Sequence, residues 1–192
     1  CEMSAEFSTR LPPQSAESPS SAQTTDLRQA IEEAAILFGS GQAAAARELN
    51  VGFFSRMVRK TPWVRLKTAA SLDGVTALGN GVSQWITGEA ARADGHAWRA
   101  RACAVLTGIG TVLEDDPMLD VRQVPTPRQP HLVIIDSKLE TPPTARLFQA
   151  PAQGLARRIF IYCAASDTSR QAALEQLGAT VIPLPGPGGK VD

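Results

Sequence analysis

Short apolar runs alternating with helical patterns predict an α/β fold, an open sheet flanked by helices. Two observations carry that expectation. Continuous apolar stretches at residues 102–107, 132–135, 158–163 and 180–184 have strand length, and Leu132 to Ile135 has no polar member, as a strand covered on both faces requires. Between them fall segments with helical spacing, so the order repeats β-α-β and places helices on both faces.

In chain order, residues 8–25 are rich in Ser, Pro, Thr and Gln with one leucine, too little apolar surface to offset ordering entropy, so this stretch is expected to be disordered. Asp26 is an N-cap candidate for a helix carrying Leu27, Ile31, Ala34 and Ala35, closed by Gly39 or Gly41. A second helix is expected over 42–49, and Thr61-Pro62 marks a boundary. The organisation read from this is a tail (1–25), a helical connector (26–60) and an α/β segment (61–192). Strands are predicted at 64–70 and 75–78, joined by the turn Ser71-Leu-Asp-Gly74. A helix is predicted over 89–101, with Thr87 as cap candidate and Gly95 weakening it by roughly 1 kcal/mol. After the strand at 102–107, Gly108-Ile-Gly110 opens a short helix ended by Asp116-Pro117. The last helix, 168–177, is stopped by Gly178.

The 192 residues suffice for one domain and hardly two. Nineteen basic and nineteen acidic residues leave no global field to draw the chain to nucleic acid or an anionic membrane. No apolar run approaches the roughly 20 residues of a membrane span, and no signal-peptide pattern opens the chain. Cys1, Cys103 and Cys163 lack metal spacing, which points to a reducing, cytoplasmic setting; Cys103 and Cys163, in apolar runs, are expected to be inert core thiols.

Ligands of open α/β sheets sit at strand carboxyl ends. Three polar clusters fall there: Ser71-Leu-Asp73, Thr107-Gly-Ile-Gly-Thr111 and Asp136-Ser137. The glycine turn would aim free N–H groups at an anion, or is turn chemistry alone; Leu113 stands where a dinucleotide fingerprint needs its third glycine. Arg99, Arg101 and Arg122 offer forks for a phosphate or are surface charges, and Arg99 and Arg101, two apart, point in different directions. Lys67 is either a buried functional cation or snorkels from an edge. His96 and His131 have no partner at metal or triad spacing.

From about Ala46 to Leu184 the chain resembles the reductase domain of the bifunctional deaminase/reductase of riboflavin biosynthesis. The resemblance rests on Ala69-Ala-Ser-Leu-Asp-Gly74, Ser83-Gln-Trp-Ile-Thr87, Ala104-Val-Leu-Thr-Gly-Ile-Gly-Thr-Val-Leu113, Asp115-Asp-Pro117 and Ile135-Asp-Ser137. It implies a dihydrofolate-reductase-like fold and NADPH-dependent reduction of the ribosyl group of 5-amino-6-(5-phosphoribosylamino)uracil to a ribityl chain. It further implies cofactor contacts at Ala69, Trp85, Thr111, Asp115 and Ser137, and substrate contacts at Ser83, Arg99, Leu119 and Arg122. No catalytic nucleophile is expected, and a homo-oligomer is compatible with the family.

The deaminase's zinc signature, H-x-E with P-C-x-x-C, does not occur here, so zinc and deamination are not assigned to these residues. The family's later reductase segment, with a substrate-contacting glutamate and a glycine-rich turn, has no counterpart before Asp192, and the chain reads as truncated at both ends and incomplete at the C-terminus. The alternatives are a non-catalytic nucleotide-binding remnant and a dihydrofolate-reductase-like enzyme acting on another pterin or pyrimidine.

Overall fold

A computed structural model describes residues 43–83 and 86–192. The expected tail at 8–25, the helix from Asp26, and Gln84 and Trp85 lie outside the described residues. The chain divides into two compact units, with the break between Leu66 and Lys67.

In the first unit, helix α1 (Ala43–Leu49) leads through Asn50 into α2 (Val51–Phe54), whose last turn widens over Ser55–Arg59. Lys60 ends it in the left-handed region (φ 61°). The buried Ser55 hydroxyl donates to the Thr61 carbonyl at 2.9 Å and accepts from Arg59 Nη2 at 3.1 Å. The Arg59 guanidinium lies 5.5 Å from the Trp63 ring centre.

The second unit is built on four parallel strands in the order β1 (Ala104–Gly108), β2 (His131–Ile135), β3 (Ile159–Cys163) and β4 (Ala179–Pro183). Val105 sits opposite Leu132, Leu132 opposite Ile159, and Ile159 opposite Ala179. Helix α3 (Glu89–Arg101) precedes β1, α4 (Ile109–Asp115) follows it, and α5 (Thr168–Gln176) joins β3 to β4. Asp167 caps α5, its Oδ1 accepting from the Ser169 and Arg170 amides.

Because successive strand residues face opposite ways, register decides the core. Leu132, Ile134, Ile159, Ile161, Cys163, Ala179 and Val181 share one face and pack with Val112 of α4, Leu174 of α5 and Leu139 and Leu147 of the β2–β3 connection. The opposite face carries Leu106, Val133, Phe160, Tyr162 and Ile182, which are half-buried except Leu106 at 60% exposed. Cover on both faces was expected from the apolar runs. The described residues close one face and leave the other half open.

Buried Asp136, just past β2, shapes the connection that seals the core. Its Oδ1 accepts from the Glu140 amide at 2.9 Å, and its Oδ2 from the Thr141 amide and hydroxyl at 2.7 Å each. Those bonds support Leu139 in a left-handed conformation (φ 58°), where its side chain is buried.

The expected strands at 64–70 and 75–78 do not form. Residues 64–70 take no regular structure and 75–78 include a bend, with Leu66 at 85% and Leu78 at 65% exposed. Alternating apolar residues favour a strand only when a neighbouring strand takes up the backbone groups, and none does so here among the described residues. Among the described residues the backbone hydrogen bonds of the stretch are local: the Ser71 amide donates to the Val75 carbonyl at 2.9 Å, and the Leu78 amide to the Val82 carbonyl at 2.8 Å. Two smaller expectations also fail. Gly88, not Thr87, holds the N-cap position of α3, and Cys103 is exposed because it precedes β1 rather than lying inside it. Cys163 is buried as expected, and burial pushes its thiol pKa up.

Truncating the two faces should separate them energetically. Ile161→Ala, on the closed face, is expected to cost about 2–5 kcal/mol in urea unfolding, and Leu106→Ala about 0.5 kcal/mol or less. Equal losses would mean that both faces are covered in solution.

Candidate functional site

Parallel strands place Gly108, Ile135, Cys163 and Pro183 at one end of the sheet and the residues entering each strand at the other. At the carboxyl end, Gly108 and Gly110 open α4. Nothing lies within 4 Å of the place a Cβ would occupy on either, so packing within the chain does not require glycine there. Thr111 and Asp115, one helical turn apart on α4, are both exposed. Ser137 follows β2 at its carboxyl end, its carbonyl accepting from the Ala164 and Ala165 amides at 3.0 and 2.8 Å and its hydroxyl from the Val191 amide at 3.1 Å. Asp136, read from sequence as part of a polar strand-end cluster, spends its carboxylate on its own loop.

The other end holds a polar cluster of a different kind. Helix α4 runs back along the sheet, and Asp116 and Leu119 turn the chain with φ of 39° and 52°. Both values are unusual for residues with side chains, and a left-handed leucine costs roughly 1 kcal/mol or more, so the surroundings must enforce it. They do so at three points. The Asp116 carboxylate accepts from the Arg146 amide at 2.8 Å, Asp120 is 1% exposed, and buried Val121 has both backbone groups closed by the Gln129 side chain. Val121 N–H donates to Gln129 Oε1 at 2.7 Å, and Gln129 Nε2 donates to the Val121 carbonyl at 2.9 Å.

Asp120 then gathers the charges. Its carbonyl accepts from Arg99 Nη1 at 2.6 Å, its Oδ1 from Arg122 Nη1 at 2.9 Å, and its Oδ2 from the Ala152 amide at 3.0 Å. Burial is the largest single influence on its carboxyl and would raise the pKa. The Ala152 amide and the Arg122 guanidinium together outweigh it and hold the pKa below the usual carboxylate range. Arg157 lies in the same field, its pKa lowered chiefly by burial; its Nη2 donates to the Leu147 carbonyl at 2.8 Å. His96 is buried, with Nδ1 at 3.4 Å from both Arg99 Nη1 and the Arg122 amide. Since both neighbours only donate, Nδ1 accepts and the ring is neutral with its proton on Nε2. Burial first, and the two arginines second, lower its pKa to about 4.

The structure therefore brings Arg99, Leu119 and Arg122 together at one end and Thr111 and Ser137 towards the other, while Asp115, the last residue of α4, stands next to Asp116 at the exit end of that helix. Ala69 and Ser83 lie in the irregular stretch before α3, Ala69 half-buried and Ser83 exposed, and among the described residues no hydrogen bond of either links that stretch to the sheet. Trp85 is outside the described residues. Lys67 is exposed, and Arg101 stacks 4.7 Å from the Trp98 ring centre, away from the cluster. Sequence reading did not find Asp120, Gln129, Arg157 or the role of His96. Nothing in their spacing marks them, because a long loop and two crossovers bring them together. Among the described residues no cluster of His, Cys, Asp or Glu could hold a metal, and no helix is long and apolar enough to cross a membrane.

The four-stranded parallel α/β sheet superposes on reductase domains of dihydrofolate-reductase-like fold, and that is the class of this domain. By the match of residues 62–192 to the family model, the chain belongs to the RibD C-terminal domain family. It is 38% identical over 144 residues to the riboflavin biosynthesis protein RibD of Aquifex aeolicus, covering 73% of this chain and 38% of that protein. To the Bacillus amyloliquefaciens RibD it is 41% identical over 155 residues, covering 80% of this chain and 41% of the relative. Acinetobacter baumannii RibD superposes with a TM-score of 0.61 at 37% identity, over 74% of this chain and 38% of that one. A Thermotoga maritima diaminohydroxyphosphoribosylaminopyrimidine deaminase/5-amino-6-(5-phosphoribosylamino)uracil reductase does so at 0.56 and 28% identity, over 73% and 44%. The chain thus spans between about a third and two fifths of the length of the curated relatives it matches.

His96 generates a pH prediction. A folded pKa of about 4 against an ordinary 6.5 means that the unfolded chain binds the extra proton between those values. Stability from this group is present above pH 6.5 and is lost as pH falls toward 4. Between pH 7 and 4.5 the wild type should lose about 2 kcal/mol more unfolding free energy than His96→Asn. Parallel pH dependences of the two proteins would show that folding leaves the His96 pKa unshifted.

Proposed function

We propose that this chain is the greater part of a reductase domain in riboflavin biosynthesis. Its reaction is the NADPH-dependent reduction of the ribosyl group of 5-amino-6-(5-phosphoribosylamino)uracil to the ribitylamino product. The observation that carries the reading is the convergence of Arg99 and Arg122 on one buried loop, beside Leu119, at one end of a helix whose other end is opened by glycines. Two guanidiniums close together suit a phosphate monoester, which each can bind through paired N–H donors.

The seven residues of α4 separate the two ends by roughly 10 Å at 1.5 Å per residue. A phosphoribosyl group gripped at its phosphate would extend along this helix toward cofactor residues at the glycine turn. The residues fit such a cofactor. Gly108 and Gly110 leave open space against backbone, Thr111 and Ser137 offer polar groups at that end, and Asp115 adds a carboxylate one turn beyond Thr111 along α4. Bound there, NADPH supplies the hydride. The chain's part is to hold the phosphate at Arg99 and Arg122, to set the distance to the reacting carbon, and to line the cofactor's path at Ala69, Thr111, Asp115 and Ser137. Ser83 and Trp85 complete the proposed substrate and cofactor contacts. No side chain is assigned a covalent role. The domain division accompanying this reading is a tail at 1–25, a helical connector at 26–60 and the reductase segment from 61.

Loss of NADPH absorbance, dependent on the deaminated phosphoribosyl substrate, is expected from the complete enzyme, and no such loss in a folded protein refutes the assignment. Arg122→Ala should weaken the phosphorylated substrate ten- to a hundredfold, the worth of one charge-assisted pair at roughly 1.5–3 kcal/mol, with NADPH affinity nearly unchanged. Joint loss of both affinities would indicate a folding defect, and loss of neither would place Arg122 outside the site.

A further inference from the structure

We propose that Asp120 is a positioning residue for the substrate's phosphate, presenting Arg122 beside Arg99; this rests on the reading that those two arginines hold that phosphate. The two are attached to Asp120 differently. Arg99 donates to its carbonyl at 2.6 Å, a bond that any residue at 120 would preserve. Arg122 donates to its carboxylate at 2.9 Å, a bond only an acidic side chain supplies in full. The carboxylate is itself fixed, since its second oxygen takes the Ala152 amide at 3.0 Å from a loop 32 residues away.

Burial divides the labour between the pair. Asp120 has 2% of its side chain exposed, whereas Arg122 has 49%. The salt bridge uses one terminal nitrogen of the fork and leaves its other donors free to face solvent. A long arginine otherwise samples many rotamers, and ordering it on binding lowers affinity. The anchored side chain has already lost that freedom. The loop beneath is equally constrained, with Leu119 held at φ 52° and Val121 clamped by Gln129. Repulsion between the Asp120 carboxylate and an incoming phosphate opposes this benefit. Arg122 and the Ala152 amide already satisfy that carboxylate, so its field at the phosphate is largely cancelled and positioning dominates.

The test compares the complete enzyme's preference, as the ratio of kcat/KM, for the phosphorylated substrate over its dephosphorylated ribosyl counterpart. Asp120→Ala should lower that preference about tenfold and Arg122→Ala ten- to a hundredfold. The double variant should be no worse than Arg122→Ala alone, because Asp120 acts through Arg122. A merely structural role would lower activity on both substrates and leave the ratio intact. An unchanged or increased ratio in Asp120→Ala, or multiplicative losses in the double variant, overturns the proposal. Should the alanine variant not fold, Asp120→Asn keeps one oxygen for the Ala152 amide and is read in the same way. If Arg122→Ala keeps the preference, the phosphate reading itself fails; if Arg122→Ala loses it and Asp120→Ala does not, only the role of Asp120 falls.

Discussion

Parallel pairing is the constraint from which the rest follows. A chain that leaves β1 at Gly108 must travel the whole length of the sheet before it can enter β2 at His131 in the same direction. Helix α4 makes most of that return, so its first turn belongs to one end of the sheet and its exit loop to the other. The β2–β3 and β3–β4 connections obey the same rule, which puts Asp136 and Ser137 with the first group and Ala152 and Arg157 with the second. Two polar clusters of opposite character are thereby placed a helix length apart. An elongated ligand with a phosphate at one end matches that arrangement better than a compact one.

Two buried aspartates show how the same residue type serves different ends. Asp136 is neutralised by three donors of its own loop and needs no cation; it closes the core by pinning Glu140 and Thr141. Asp120 has a single amide and depends on Arg122 for the rest, with Arg99 on its carbonyl and Arg157 within its field. Buried carboxylates are stable only with such compensation. The first is satisfied locally and is inert. The second is satisfied by a side chain that is half in solvent, which leaves that cation ordered and accessible together. His96 completes the second cluster by staying neutral, since a proton on it would add a third positive charge beside Arg99 and Arg122.

The sheet strands were legible in the sequence because each is a short apolar run bounded by turn residues, and β1 to β4 begin and end within two residues of the expected positions. Helix α3 has the expected limits for the same reason. The family was legible from motifs, above all those between Lys67 and Gly88 together with the glycine turn, and the matched segment, 62–192, begins at the boundary proline. Asp120, Gln129 and Arg157 were not legible. Each is an ordinary polar residue until the crossovers fold it against a partner 8 to 32 residues away. Asp136 was visible but misread, because a carboxylate at a strand end looks the same in sequence whether it faces a ligand or its own loop.

The failed strands at 64–70 and 75–78 carry the sharpest lesson about local pattern. Val64 and Leu66 alternate as strand residues do and Leu78 ends the second apolar stretch, yet all three stand in solvent. Strand propensity measures how well side chains fit a pleated, half-buried surface, and it supplies no backbone partner. The sheet residues Leu106, Val133, Phe160 and Tyr162 on the half-open face show the complementary case, apolar surface with regular structure but incomplete cover. Each feature alone would be a liability, since exposed apolar patches invite association. Both follow from one principle: apolar periodicity encodes what a segment can bury, while tertiary partners decide whether it does. In this chain the closed face has those partners in α4, α5 and the Asp136 loop, and among the described residues the motif-bearing stretch before α3 pairs with no strand.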